Sequence, residues 1–340
     1  MHVRVILPGL LWPAPETAPA LTGNELPSLL WLLGRAERTA CAPAGPAQAF
    51  AQALGLPPAS AAAALRRAGE ADGHLPAPGE HWLCADPVTL RFMRDQLVLD
   101  DASAIGLAEA EIDALQTCLK PLFAEVGAFE LCHPQRGYLR LKAAPDAQFS
   151  PLDDVAGRPV ALFLPEGNAA LRWGRILNAL QIDLHELEFN RQRETEQRPQ
   201  VNSLWFWGEG KPVPSAETTQ TSVLTDSLLG RGAARLAGCT PQPLEDCANL
   251  PMNAASTLIL DESLHRPALF RDMTAWREAL TRCEARLFTP LAQALRDGRI
   301  EQLDIEAPRE RENGAVFHIK PRRWAFWLRP AAPEILFAKS

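Results

Sequence analysis

What this chain lacks narrows the reading first. Its seven cysteines, Cys41, Cys84, Cys118, Cys132, Cys239, Cys247 and Cys283, are scattered, odd in number and never spaced as C-x-x-C. That excludes a disulfide scaffold and a cysteine-paired zinc site, and predicts reduced thiols in a cytoplasmic protein. No long apolar run is present either. The uncharged stretch Thr39 to Leu65 is broken by Pro43, Pro46, Pro57 and Pro58 and diluted by alanine, so no membrane span is expected. The opening apolar run stops at Pro8-Gly9, unlike an export signal. A positive surplus is missing too: 34 Lys and Arg face 41 Asp and Glu, a net charge of −7. Nucleic acid is therefore an unexpected partner, although arginines can still line a pocket for a small anion. The sequence holds no G-x-G-x-x-G, no Walker loop, no G-x-S-x-G and no H-E-x-x-H, which removes the common catalytic signatures. His185-Glu186 comes nearest to the last, but Phe189 stands where a histidine would be needed. His185 is read as part of an amphipathic helix.

What is present is a chain of 340 residues, 47% apolar and with 30 prolines, enough for about two domains and long connections. Val3 to Leu7 reads as a buried strand delivering the chain to a loop, and Leu26 to Arg35 as a helix with Pro27 in its first turn. Short alanine-rich helices follow near Ala47–Leu54 and Ser60–Ala68. Strands are expected around Trp82–Ala85, Gln96–Leu99, Phe129–His133 and Tyr138–Lys142, with an amphipathic helix at Glu109–Phe123 and a long one near Asn168–Glu186. A polar connection over Asn190–Arg198 leads to a strand from Val201. Ser256–Asp261 is a further buried strand. Met273, Trp276, Leu280, Cys283, Leu287, Leu291 and Leu295 form one helical stripe. The expected architecture is an α/β core built from residues 1–80 and 206–340, with an α+β domain inserted at 81–205.

Asn202-Ser-Leu-Trp-Phe-Trp-Gly-Glu-Gly-Lys-Pro212 is the most unusual segment. Its glycines permit close backbone approach, and the indoles of Trp205 and Trp207 can either meet a ligand or pack between elements. Together with Asn190-x-x-Arg193 it resembles the N-x-x-R and N-x-x-W-x-W-G-x-G-x-P block of the archaeal-type cofactor-independent phosphoglycerate mutases, which belong to the alkaline-phosphatase superfamily. Trp82-Leu-Cys-Ala-Asp-Pro, Gly137-Tyr-Leu-Arg-Leu, Leu164-Pro-Glu-Gly and Asp226-Ser-Leu-Leu-Gly-Arg-Gly resemble further landmarks in the same order. The features Ile6–Pro13, Trp82–Pro87, Asn202–Gly210 and Arg322–Pro330 also resemble a divergent proteobacterial group labelled regulatory protein of the RpfE type. The resemblance implies an alkaline-phosphatase-like core sheet flanked by helices, and it covers Leu83 to Gly238 best.

The departures from that family decide the expected activity. Its phosphomutases hold two metal ions with Asp and His ligands and carry the phosphoryl group on a Ser or Thr. Where the resemblance implies a D-G-x-G-D turn after the first strand, this chain has Pro8, Gly9 and Leu10, and where a hydroxyl is implied it has Pro46 and Ala47. Asp261 and His265 keep the outline of a D-x-x-x-H element, Asp304 stands in place of a D-H pair, and His318 echoes a last histidine. The expectation is a catalytically degenerate protein without a cofactor, in which Arg140, Asn190, Arg193, Asn202 and Trp207 survive as an oxyanion pocket for a phosphorylated small molecule or fix a domain interface. The alternative is a metal-dependent enzyme, a phosphatase, phosphomutase or lyase, that holds a single divalent ion with Asp261, His265, Asp304 and His318. A third reading makes His318 to Pro330, with Lys320, Arg322, Arg323, Arg329, Trp324, Phe326 and Trp327, a docking element for a regulatory protein partner or a final strand.

Overall fold

The computed structural model describes residues 1–14, 16, 21–57, 60–93, 95–100, 105–155, 157–213, 221–250, 256–321 and 328–337. Arg322, Arg323, Trp324, Phe326 and Trp327 lie outside the described residues. The chain forms two compact units, Met1–Pro58 with Pro214–Ser340, and Ala59–Val213.

The first unit carries a sheet of seven strands: β1 (His2–Ile6), β2 (Glu37–Cys41), β8 (Thr221–Leu224), β9 (Pro241–Gln242), β10 (Ser256–Leu260), β11 (Gln302–Ala307) and β12 (Gly314–Ile319). Their order is β2-β12-β11-β1-β10-β8-β9. Strands β11, β1, β10, β8 and β9 run parallel, while β12 lies antiparallel to both β11 and β2. Val3, Val5 and Ile6 are fully buried, as a central parallel strand covered on both faces requires. Helices α1 (Pro27–Leu33), α2 (Pro46–Ala53), α8 (Leu228–Leu236), α9 (His265–Leu269), α10 (Met273–Cys283) and α11 (Thr289–Arg296) complete the unit. A π-helical turn, Glu284–Phe288, joins α10 to α11. The mixed α/β architecture with a central sheet flanked by helices is the one expected. Strand β2 is not: its residues Glu-Arg-Thr-Ala-Cys are almost all exposed and carry no apolar pattern to read.

The second unit is an antiparallel sheet of β3 (His81–Met93), β4 (Gln96–Asp100), β5 (Gly127–His133), β6 (Arg136–Leu141) and β7 (Ser203–Gly210). Its order is β4-β3-β6-β5, with β7 also paired to β3. Helices α4 (Glu109–Phe123) and α6 (Ala170–Glu186) cover it through Leu115, Leu119, Phe123, Trp173, Leu177, Leu180 and Leu184. The short α5 (Leu152–Val155) and α7 (Glu188–Thr195) complete the set with α3 (Ala62–Ala68). Helix α7 occupies most of the stretch expected to be a polar connection.

The division falls at residues 59 and 213, where the sequence suggested 81 and 205, because α3 packs Ala63 and Ala64 against Trp82, Cys84 and Tyr138, and β7 continues to Gly210 along β3. At Gly208, φ is +70°, and a Cβ would sit 3.1 Å from both the Ala62 Cβ and the Ala63 N. The glycines of the tryptophan-rich segment therefore admit a helix at close range.

Candidate functional site

In α/β sheets, ligands gather where parallel strands hand over to loops at their carboxyl ends. In the first unit that edge is made by the loops after β1, β8, β10 and β11.

The loop after β1 is closed by packing. Pro8, Leu10, Leu11 and Trp12 are buried, and the Leu7 N–H donates to the Glu306 carbonyl at 2.8 Å. Trp276 donates its indole N–H to the Gly9 carbonyl at 2.8 Å and meets Trp12 edge-on, with centroids 5.2 Å apart. Gly9 has φ +83°, and a Cβ there would lie 2.3 Å from the Leu264 carbonyl oxygen. Helix α2 opens with Gly45, buried Pro46 and Ala47 and has no side-chain cap. The two metal ions implied by the family do not fit these residues: buried Pro8, Leu10 and Trp12 stand in the turn where carboxylates are implied, and the helix offers no hydroxyl.

Beside this loop, between the ends of β8 and β10 and helix α10, lies a cavity of about 280 Å³, lined among others by Asp226, Ser227, Asp261, Glu262, Cys283 and Arg286. Its polar groups are engaged with one another. Ser227 caps α8 by accepting from the Gly230 N–H at 3.1 Å and donates to Glu262 Oε1 at 2.5 Å. Asp226 pairs with Arg286 at 2.5 Å and accepts from the Leu244 N–H. Asp261 accepts from the Ser263 N–H at 2.9 Å and from the Cys283 thiol at 3.6 Å. Burial, then the Asp261 charge, pushes the Cys283 thiol up to about 12, so it is no thiolate nucleophile at neutral pH. This cavity is of a size for a small polar ligand. Of its residues, the sequence reading singled out Asp261 as a ligand and Asp226 and Ser227 as a family landmark. It missed Glu262, whose partner lies 35 residues away.

The proposed metal set does not converge. His265 faces Glu310 at 3.7 Å. Asp304 lies level with Arg4, whereas Asp261 follows the residue level with Ile6, about 10 Å further along the strands. Asp304 instead sits between two imidazoles, His2 Nε2 at 2.7 Å and His318 Nδ1 at 2.8 Å, and accepts from Gln302. Burial raises its carboxyl, but the bonds from His318, His2 and Gln302 outweigh this and hold it below its ordinary value. Among the described residues, no group of three or more His, Cys, Asp or Glu side chains is arranged to hold a metal ion.

The expected oxyanion residues of the second unit are likewise not brought together. Arg193 is fully buried and spends all five N–H groups: two on Glu111 at 2.6 and 2.7 Å and three on the carbonyls of Ile105, Gly106 and Pro199. Asn190 bridges the Leu184 carbonyl and both backbone groups of Val201. Asn202 pairs with both backbone groups of Leu90. Trp207 donates to Asp86 at 2.8 Å and lies under the Arg66 guanidinium. Arg140 is exposed on β6 and reaches Glu80 at 3.4 Å. These motif residues fasten loops and strands; Asn190 and Arg193 are buried, Asn202 and Trp207 half-buried, and Arg140 exposed. A buried network that sequence reasoning missed lies beside them: Arg66 grips Asp86 with two bonds of 2.6 and 2.8 Å, and Glu70 receives Arg136 and Tyr138.

No protein-family model matches the chain. Among curated proteins, a probable 2,3-bisphosphoglycerate-independent phosphoglycerate mutase of Geobacter sulfurreducens is 27% identical over 146 residues, 42% of this chain and 36% of that protein. A 2,3-bisphosphoglycerate-independent phosphoglycerate mutase of Methanothrix thermoacetophila is 30% identical over 118 residues, 35% of this chain and 30% of that protein. The matches thus span about a third of these relatives. A solved structure from Pyrococcus horikoshii shares the fold with a TM-score of 0.53 at 13% identity, covering 94% of this chain and 87% of that one. Over part of its length, on this α/β fold, the chain is a distant homologue of the cofactor-independent phosphoglycerate mutases.

Proposed function

We propose that the chain is a phosphoglycerate-mutase-like protein that has lost phosphoryl transfer and serves as a cytoplasmic regulatory protein of the RpfE type, binding a phosphorylated small molecule or a protein partner. The observation that carries this reading is the loop after β1. There, buried Pro8, Leu10 and Trp12 leave no hard ligand for a divalent cation. A Ser or Thr without two metals lacks both activation and charge stabilisation, and α2 offers neither hydroxyl. The Ser227–Glu262 pair is no substitute, since the serine oxygen is held as a helix cap.

The test combines turnover with metal linkage. With 3-phosphoglycerate and low-millimolar Mn, neither isomerisation nor phosphate release is expected. The melting temperature should not move with EDTA, Mn, Mg or Zn, because an ion bound only to the folded state would raise it. Turnover abolished by EDTA, or a metal-dependent rise of several degrees, would establish the metal-dependent enzyme instead.

A further inference from the structure

A second cavity, of about 250 Å³, opens at the other end of the same sheet and is lined by Arg35, Glu37, Gln302, His318 and Lys320. Gln302 begins β11, Glu37 begins β2, and Lys320 follows the end of β12. The cavity therefore lies at the amino ends of the parallel strands, opposite the loops after β1 and β10.

Its charge stands out against the rest of the chain. In a protein whose acids outnumber its bases, none of the carboxylates among the described residues pairs with Arg35, Lys320 or the nearby Arg296. Arg35 and Arg296 stack on Trp31 with guanidinium carbons 4.1 and 4.2 Å from the ring centroid. Among the described residues, Arg35 spends N–H groups on the carbonyls of Trp31 and Leu328, at 3.0 and 3.3 Å, and keeps further donors for a ligand. His318 forms part of the wall and is fixed from both sides, Nδ1 by Asp304 at 2.8 Å and Nε2 by the Thr39 hydroxyl at 2.9 Å. Asp304, which also receives His2 and Gln302, has its negative charge taken up inside this chain of bonds. Glu37 is the one carboxylate on the wall, and it is exposed.

The geometry points to a binding site for a small phosphate-bearing anion, a phosphate monoester or inorganic phosphate, gripped by Arg35 and Lys320 in the field of Arg296. Guanidinium and ammonium groups that no described carboxylate pairs gain most from a compact, doubly charged oxyanion. The site deepens the ligand-binding part of the proposed function and rests on it for the class of ligand. It is independent of the lost metal site, so the turnover and metal measurements can fail without touching it.

Calorimetric titration of the full chain with inorganic phosphate and with glycerol phosphate, at ionic strength fixed with chloride, tests the assignment. Saturable binding is expected, weakened about tenfold by Lys320→Glu, as loss of one charge-assisted contact predicts, and by a smaller factor by Arg296→Glu, which reverses a charge beside the cavity. Both residues are exposed, and circular dichroism checks that the fold persists. Arg140→Glu, an equal charge change in the other unit, should leave affinity unchanged. Absence of saturable phosphate binding, or loss of binding in Arg140→Glu but not in Lys320→Glu, overturns the site. A preference of at least threefold for glycerol phosphate would identify a monoester rather than free phosphate as the ligand.

Discussion

A single methyl group at position 9 has nowhere to go. The Leu264 carbonyl oxygen would stand 2.3 Å from it, and the backbone there is held at φ +83°, where a side chain is already strained. Gly9→Ala is therefore expected to cost about 2–4 kcal/mol, read as a lower urea midpoint at unchanged slope. The absence of a carboxylate was legible in the sequence from Pro8-Gly9-Leu10, but the close approach that reserves position 9 for glycine was not, since the neighbouring carbonyl belongs to a residue more than two hundred positions away. The same holds for Arg193 and Asn190. Their motif positions stood out, yet a guanidinium that grips Glu111, 82 residues away, looks in sequence the same as one waiting for a ligand.

Among the elements, α1 shows how a helix start can be hidden. Nothing at Leu26 caps it. Its first free N–H groups, Ser28 and Leu29, instead donate to the two oxygens of Glu284 at 2.6 and 3.0 Å. That buried carboxylate comes from the π-helical turn between α10 and α11 and also faces the positive end of the α1 dipole. Glu284→Ala should destabilise the fold by about 1–3 kcal/mol, and Glu284→Gln by less because one acceptor remains; thermal unfolding of the two variants checks the order. The sequence showed one continuous stripe here. In it, Cys283, Leu287, Leu291 and Leu295 follow at successive steps of four, wider than the 3.6 of an α-helix, and the wider i→i+5 turn takes up the drift. Strand β2 gave no such hint, because an exposed edge strand needs no apolar face.

For the molecule as a whole, each unit owns its core. The apolar cluster around Val5, Trp12 and Trp276 lies in the first unit, and those around Phe123 and Phe206, Trp82 and Tyr138, and Val88 and Trp205 lie in the second. A polypeptide of residues 60–213 should accordingly fold alone, with a single cooperative urea transition and dispersed amide resonances. A non-cooperative melt would show that its core depends on the remainder of the chain. The inserted character of this segment was readable from its shift to short strands. Its true edges were not, because α3 joins it through Ala63, Ala64 and Arg66, residues whose partners lie across a sheet.

The segment also begins and ends at one place, the Ala61 N–H donating to the Lys211 carbonyl at 3.4 Å. Folded, it hands the chain back to the first unit almost where it took it up. Unfolded, it would become a slack loop of roughly 150 residues, and holding the ends of such a loop together costs roughly 4 kcal/mol of chain entropy. Melting the second unit would thus loosen the seven-stranded sheet of the first through the tether.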